Sequence, residues 1–301
     1  MKKYSVRPAA PNDIEAVYDL IAKQNVADYG DAMLTIDDLR KSWGHINFES
    51  ETCIAFADGK LAGYAELLNG DSPYIYLEDR SNVDLGFQLL TILEEEALSR
   101  RRENISLVTR ISEDNNVLLQ LFASNGYKSD LSFRIMERVM SEPPAAPQWP
   151  EQISVRTFIL AQDEYATYQA DEEAAQDKGY HAPLNFEGWV KRVGMDRESF
   201  DPSLWYLAIE ENEIVGVALN IYAPETNIGW VDHLSVRPAW RNKGIGRSLL
   251  LHTFGEFYRR GVPHVKLSVD SNSLTGAPRL YEGVGMKTIQ RYHIYKKEIQ
   301  M

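Results

Sequence analysis

The sequence predicts an α/β protein built from two similar halves, each with strands and helices around a mixed sheet. Apolar segments of strand length alternate with longer helical patterns along all 301 residues. The same order of motifs occurs twice, and a proline-rich segment lies between the two copies. Together these observations favour a duplicated layered fold.

The repeat can be followed element by element. Each half opens on a short strand, around Val6 and Val155, and continues through a helix into a hairpin with a polar turn. A strand, a turn and a long helix follow, and then a strand, a short helix and closing strands. The matched segments are 53–65 with 206–218, 81–90 with 241–250, and 121–127 with 280–286.

The proline-rich segment at 141–152 cannot continue a helix or a central strand, so it is predicted to be a semi-rigid linker. We therefore expect one domain over residues 1–140 and a second over residues 153–301.

Composition excludes several classes of protein. A net charge of −12 argues against broad binding of nucleic acid or anionic membranes. No apolar run is long enough for a membrane span, and the first residues enter a strand pattern without a signal sequence. Cys53 is the only cysteine, so we expect no internal disulfide, no metal site and a cytoplasmic protein. It lies in an apolar strand and is interpreted as a buried hydrophobe.

The most informative stretch is the basic, glycine-rich turn at 241–246. An apolar strand over 229–236 precedes it, and a helix that stops at Gly261 follows it. The first N–H groups of a helix lack internal partners, and the helix dipole favours an anion there. Glycine lets phosphate oxygens approach the backbone closely. The turn is therefore predicted to hold a pyrophosphate, although its glycine spacing matches neither a Walker loop nor a Rossmann fingerprint.

With the companion segment 267–286, this turn resembles the acetyl-CoA loop of the GNAT superfamily of N-acetyltransferases. The resemblance covers nearly the whole chain and is stronger in the C-terminal half. The pattern of segment 267–286 is similar to that of mycothiol-synthase-like tandem members. It implies two tandem domains, each with a mostly antiparallel sheet that splays at its centre. It also implies direct acetyl transfer from acetyl-CoA to a primary amine, without a metal.

The family pattern also assigns residues. A splayed strand provides backbone partners for pantetheine, the turn and helix start bind pyrophosphate, and a polar turn contributes a further hydrogen bond. In that last turn Ser273 stands where relatives commonly carry Asn. A backbone N–H near Leu234 would stabilise the oxyanion, and Tyr281 matches the general acid. The implied cofactor-binding residues are Leu234, Ser235, Val236, Arg241, Asn242, Lys243, Gly244, Ile245, Gly246, Arg247, Ser248 and Ser273.

The general base is less defined, because Trp230 occupies the position where several members carry a catalytic Glu. Asp232 shares the strand parity of Trp230 and is the first candidate. His233 is expected on the opposite face and is therefore less favoured. The acidic helix segment that contains Asp171 could hold a cationic substrate or supply a base instead.

The N-terminal copy lacks the charges of this turn. Ser81, Val83 and Asp84 stand where the C-terminal copy has Arg241, Lys243 and Gly244, and Phe122 replaces Tyr281. A carboxylate where phosphate would lie is repulsive. The N-terminal half is therefore predicted to be a related fold without a cofactor site.

Two other functions stay open at this point. The acceptor could be a protein or peptide. A broad open groove would favour that acceptor, whereas a closed acidic pocket would favour a small amine. The chain could also be a non-catalytic acyl-CoA-binding regulatory module. A small-molecule amine is the favoured partner, and both a monomer and a homodimer are compatible with the sequence.

Overall fold

The structure is a computed structural model that describes residues 3–30, 32, 34–100, 105–176, 182–197, 200–273 and 276–299. The chain forms two compact units. The N-terminal unit comprises Met1–Ser132 and Gln290–Met301, and the C-terminal unit comprises Phe133–Ile289.

The N-terminal unit contains a four-stranded antiparallel sheet in the order β1-β2-β3-β4. In the same unit, β5 pairs antiparallel with residues 292–299 of the last strand, β12. The elements are β1 Ser5–Arg7, α1 Ile14–Tyr29, α2 Ile36–Trp43, α3 Phe48–Glu51, β2 Thr52–Ala57, β3 Lys60–Leu68, β4 Ser72–Leu77, α4 Val83–Arg100, β5 Ile105–Ser112, α5 Asn116–Ser124, β6 Lys128–Val139 and β12 Lys287–Ile299.

Helix α4 carries the core of this unit. Leu85, Leu89 and Leu93 recur every four residues and are almost fully buried, which places them on one face of the helix. That face packs against the sheet, where Leu67 and Leu77 are equally buried. Burying side chains of this size stabilises the fold by about 1.5–3 kcal/mol each.

The C-terminal unit contains strands in the order β6-β11-β10-β9-β8-β7, where β6 contributes residues 133–139. Its pairings are antiparallel except for the parallel pair β10–β11. The further elements are β7 Ile153–Thr157, α6 Glu164–Ala175, α7 Phe186–Arg192, β8 Tyr206–Glu210, β9 Glu213–Ala223, β10 Ile228–Val236, α8 Ile245–Arg259, β11 His264–Asp270 and α9 Ala277–Glu282. The predicted mixed, mostly antiparallel sheet with flanking helices is confirmed.

The sheet of the C-terminal unit opens between its two parallel strands. Strand β10 pairs with β11 only over residues 228–230, although it pairs with β9 up to Val236. On its other edge, β11 pairs with β6 over its whole length, residues 264–270. The predicted central splay is therefore present, and among the described residues the edge of β10 towards β11 has no strand partner from 231 to 236.

Two features differ from the simplest interpretation of the sequence. Each half has more than one helix before its hairpin where one was expected: α1, α2 and α3 in the N-terminal half, and α6 and α7 in the C-terminal half. Short helices form here because they are well capped: Thr35 and Asp38 form a capping box at α2, and Asn185 caps α7. The boundaries of the compact units are also set by which strands pair, and not by the order of the repeated motifs along the chain. Residues 133–139 pair with β11, and residues 292–299 pair with β5.

Candidate active site

The open edge of β10 exposes a defined set of backbone groups. The N–H of Arg237 donates to the carbonyl of Val215 on β9 at 2.9 Å. Because backbone groups alternate between the two edges of a strand, the N–H and C=O of Leu234 and the N–H of Val236 point towards the opened side. The Val236 carbonyl accepts from Nε of Arg241 at 3.1 Å. Leu234 therefore offers a donor and an acceptor, and Val236 offers a donor.

The glycine-rich turn lies at the end of this edge. Asn242 and Gly244 have φ angles of +63° and +86°, and Gly244 is the N-cap of α8. A Cβ built on Gly244 would meet no atom within 4 Å, so its backbone conformation rather than crowding requires glycine. A Cβ on Gly246 would lie 3.5 Å from Leu280 and 3.6 Å from Val236. The end of β10, the start of α8 and helix α9 therefore converge at Gly246.

The basic residues of the turn have different environments. Lys243 and Arg247 are exposed, and neither forms an ion pair with another residue that the structure describes. Arg241 is half-buried, and its Nη2 donates to the carbonyl of Ala174 at 3.0 Å in addition to the bond to Val236. Its side chain thus fixes the turn to β10 and α6, and Lys243 and Arg247 supply the positive charge that a ligand can meet.

Other predicted residues of this region have structural partners. Ile245 is buried in the core. Ser248 is buried, and its hydroxyl donates to the carbonyl of Gln148 at 2.6 Å, which attaches the proline-rich segment to α8. The Ser248 hydroxyl therefore has a partner in the proline-rich segment, and the predicted contribution of Ser248 to cofactor binding stays a prediction. Ser273 precedes residues 274–275, which lie outside the described part of the chain.

Tyr281 lies on α9 and is buried with 8% of its surface exposed. Its neighbour on the helix, Leu280, is the residue that approaches Gly246. The aromatic side chain belongs to a core cluster with Phe254 and Met286. The structure thus holds Tyr281 rigidly on the helix that packs beside the glycine-rich turn.

Strand β10 contains a β-bulge at Asp232, which overturns the predicted side-chain parity. Val231 pairs with Asn220 and His233 pairs with Leu219, so Asp232 is the extra residue. Trp230 pairs with Ile221. Since Ile221 and Leu219 lie on the same face of β9, Trp230 and His233 also share a face. The prediction that His233 lies opposite to Trp230 is wrong, because a regular alternation was assumed where the strand has one residue more.

The bulge brings His233 to a buried carboxylate on α6. Oδ2 of Asp171 lies 2.7 Å from Nδ1 of His233 and accepts from Nε1 of Trp189 at 3.0 Å. Oδ1 of the same carboxylate accepts from the hydroxyl of Ser235 at 2.6 Å. Burial by itself raises the pKa of Asp171, but the charge and hydrogen bond of His233, with those from Ser235 and Trp189, hold it below its ordinary value. Asp171 is thus an ionised acceptor at neutral pH.

Asp232 is the more exposed of the two predicted bases. Its side chain is 40% exposed, whereas that of His233 is 11% exposed. Oδ2 of Asp232 lies 3.8 Å from Nε2 of His233, the ring nitrogen that Asp171 does not contact. The structure therefore brings Asp171, His233 and Asp232 together in one row. The acidic segment around Asp171 is visible in the sequence as a candidate site. Its partner His233 is not, because the bulge that turns His233 towards Asp171 cannot be recognised in the sequence.

The N-terminal unit has the corresponding strand edge and turn, but both are filled from within. On β4, the Leu77 N–H donates to Oε1 of Gln24 at 3.1 Å, and Nε2 of Gln24 donates to the Ile75 carbonyl at 3.2 Å. At the start of α4, Oδ1 of Asn82 accepts from the Leu85 N–H at 3.2 Å. Asp84 lies in the first turn of that helix. Side chains of the unit itself thus satisfy the groups that are open in the C-terminal unit.

Comparison with known proteins agrees with this geometry. The model of the acetyltransferase (GNAT) family matches residues 160–286. A mycothiol acetyltransferase from Thermobispora bispora is 32% identical over 155 residues, which cover 50% of this chain and 52% of that protein. The chain spans about half the length of the first curated relatives that it matches. A mycothiol acetyltransferase from Kytococcus sedentarius is 26% identical over 275 residues, 87% of each chain.

Among solved structures, a GCN5-related N-acetyltransferase from Sphaerobacter thermophilus is 35% identical, with a TM-score of 0.84. The match covers 99% of this chain and 96% of that one. The chain belongs to the GNAT family of acetyltransferases. A tandem GNAT protein from the clavulanic acid biosynthesis pathway shares the fold at 15% identity and a TM-score of 0.71, covering 98% of both chains.

Of the helices in the described part of this GNAT protein, none is both long enough and apolar enough to cross a bilayer.

Proposed function

We propose that the C-terminal unit is an acetyl-CoA-dependent N-acetyltransferase that acts on the primary amine of a small molecule. The observation that carries the proposal is the open edge of β10 leading directly into the left-handed turn at Gly244. An extended chain with amide groups fits such an edge, and a pyrophosphate fits the helix start behind it.

The residues present fit acetyl-CoA in two regions. The free backbone groups of Leu234 and Val236 would pair with the pantetheine amides. The first N–H groups of α8, from Ile245 to Arg247, would bind the pyrophosphate together with the side chains of Lys243 and Arg247. The side chain of Arg241 holds the turn in place. Ser235 and Asn242 belong to the strand and the turn that would contact acetyl-CoA, and Ser273 would donate a hydrogen bond from the neighbouring turn. When bound, acetyl-CoA supplies a thioester as acyl donor.

His233 is our choice of proton acceptor for the attacking amine. An ionised carboxylate can only accept, so the contact with Asp171 places a proton on Nδ1 of His233 and leaves Nε2 with a lone pair in the neutral ring. Asp171 is thus a positioning residue. Asp232, the base expected from the sequence, is the alternative acceptor because its carboxylate adjoins the same Nε2.

Tyr281 would donate the proton that the leaving thiolate needs, since it lies on the helix that meets the turn at Gly246. The Leu234 N–H at the opened edge would stabilise negative charge on the carbonyl oxygen. The chain therefore offers a base and an oxyanion donor on β10 and an acid on α9.

Two observations support a small amine as acceptor. Asp171 and Asp232 place carboxylates beside the proposed base, which favours a cationic substrate before it loses its proton. The curated relatives are named mycothiol acetyltransferases, which connects related chains with a small molecule. For the N-terminal unit we propose a supporting role without acetyl-CoA, because Gln24 and Asn82 already use the equivalent groups.

The test is release of CoA by the full chain, with acetyl-CoA and two panels of acceptors: small primary amines and peptides with free amino groups. We expect turnover with a small amine, and Tyr281→Phe should lower kcat while leaving acetyl-CoA affinity unchanged. Tyr258→Phe, on α8 against the same core cluster, is the matched control. Turnover with peptides alone would support the peptide acetyltransferase, and binding without turnover on either panel would support a regulatory module.

A further inference from the structure

The N-terminal unit contains a cavity of about 130 Å³ that is separate from the proposed acetyl-CoA site. Residues of α1, β4, β5 and α5 line it. Tyr29, Tyr74 and Arg110 in its wall are half-buried, so the cavity reaches the surface of the unit beside them. Its size is close to that of a cavity of about 150 Å³ that holds a benzene molecule.

Among the described residues that line this cavity, Arg110 is the only cation, and it has aromatic neighbours in place of an acid. Its Cζ lies 4.6 Å from the ring centroid of Tyr292 and 5.7 Å from that of Tyr29. Among the residues that the structure describes, no carboxylate comes within ion-pair distance of it. A partly desolvated guanidinium without a counter-ion favours an anionic ligand, because its fork of donors matches a carboxylate.

The nearest acid in the wall is already paired. Asp28 forms an ion pair with Arg80 and accepts from Nδ2 of Asn115 at 2.8 Å. Its backbone carbonyl accepts from the hydroxyl of Ser112 at 3.0 Å. Asp28 therefore has partners of its own and does not neutralise Arg110.

Other polar groups of the wall also have partners inside the protein. Both ends of the Gln24 amide bond to the backbone of β4, and Nδ2 of Asn25 donates to the carbonyl of Ala32 at 2.8 Å. The wall also includes three tyrosines and a threonine, together with apolar side chains from the core of the unit: Tyr29, Tyr74, Tyr76, Thr109, Ile111, Leu118 and Phe122. A ligand would thus meet a cation at one point and the apolar side chains of Ile111, Leu118 and Phe122 at another.

We propose that this cavity binds a short-chain monocarboxylate of about four to six non-hydrogen atoms, judged from the benzene-sized volume. The carboxylate would pair with Arg110, and the alkyl chain would lie against Ile111, Leu118 and Phe122. Inorganic phosphate fits less well, because it has no apolar part to lie against Ile111, Leu118 and Phe122. This site is independent of the proposed transferase function.

The experiment is a calorimetric titration of butyrate and of its uncharged isostere butyramide into the full-length protein. We expect one butyrate site per chain with a millimolar or tighter dissociation constant, and at least tenfold weaker binding of butyramide. Arg110→Gln should weaken butyrate binding at least tenfold. Arg291→Gln, which removes an exposed arginine of the same unit that lies 3.8 Å from Glu113, should leave it unchanged.

Butyrate binding should persist in Gly244→Asp, because the turn of the C-terminal unit is not part of the cavity. Loss of binding in that variant would place the anion at the turn and overturn the proposal. Equal binding of butyrate and butyramide, an unchanged affinity in Arg110→Gln, or inorganic phosphate binding as tightly as butyrate would also overturn it. The comparison of the two ligands on the wild-type protein decides the matter even where Arg110→Gln fails to fold.

Discussion

Oδ2 of Asp171 lies 2.7 Å from Nδ1 of His233, although 62 positions separate the two residues along the chain. The contact joins helix α6 to the bulged part of β10, and it gives the imidazole a fixed orientation with Nε2 on the side of Asp232. A buried carboxylate that holds a histidine in one tautomer is a common way to prepare a general base.

The first prediction concerns this base. His233→Gln keeps a polar side chain but removes the proton acceptor, so kcat should fall about 100-fold to 10,000-fold. Asp232→Asn should lower kcat less than tenfold if His233 is the base. Steady-state kinetics with the best amine across pH would measure both. His264→Gln, which removes a histidine 3.0 Å from Glu137, is the matched control. A larger loss in Asp232→Asn than in His233→Gln would assign the base to Asp232.

The second prediction concerns stability and pH. The pKa of Asp171 is lower in the folded protein than its ordinary value of about 3.9, so the unfolded chain binds more protons below that pH. Its stabilising contribution should be complete above about pH 5 and decline as the solution becomes more acidic. Asp171→Asn should lower the free energy of unfolding by about 3 kcal/mol near neutrality, with a smaller difference below about pH 4.

Urea unfolding of wild type and Asp171→Asn over that pH range would show whether the difference in their free energies of unfolding shrinks towards acid pH, as predicted. Asp196→Asn, at an exposed position, provides the comparison for the loss of one carboxylate. A difference between wild type and Asp171→Asn that grows towards acid pH would contradict this assignment.

The third prediction distinguishes the structural role of Arg241 in the turn from the ligand-binding role of Lys243. Arg241→Ala removes donors to Val236 and Ala174, so it should lower the free energy of unfolding by about 1–3 kcal/mol and also weaken acetyl-CoA binding. Lys243→Ala removes an exposed charge, so it should weaken binding, more at low salt, without changing stability. Thermal unfolding and titration of both variants measure this, and equal stability of the two would be inconsistent with it.

The fourth prediction concerns Cys53, which is 2% exposed in β2. Burial raises its pKa to about 12, so almost no thiolate is present at neutral pH. A thiol reagent should therefore react with one equivalent in denaturant and very slowly with the native protein. Rapid reaction of the native protein would show that the strand opens readily.

Much of this arrangement could be predicted from local sequence. The glycine-rich turn and the helix that starts at it follow from residue types with strong backbone preferences, as at Gly244, whereas the splay beside the turn was implied only by the family resemblance. The bulge at Asp232 could not be predicted, because no residue type at that position requires one. The pairing of residues 133–139 with β11 and the use of Gln24 to fill the edge of β4 depend on contacts between distant parts of the chain.

The central claim is that the C-terminal unit alone binds acetyl-CoA, and a calorimetric titration of acetyl-CoA into the full chain tests it most directly. We predict one site per chain, abolished by Gly244→Asp. It should be retained in Gly261→Asp, which places the same residue at another exposed glycine with positive φ, at the far end of α8. Two sites per chain would contradict the account of the N-terminal unit, and no binding by the wild-type protein would contradict the proposed acetyltransferase.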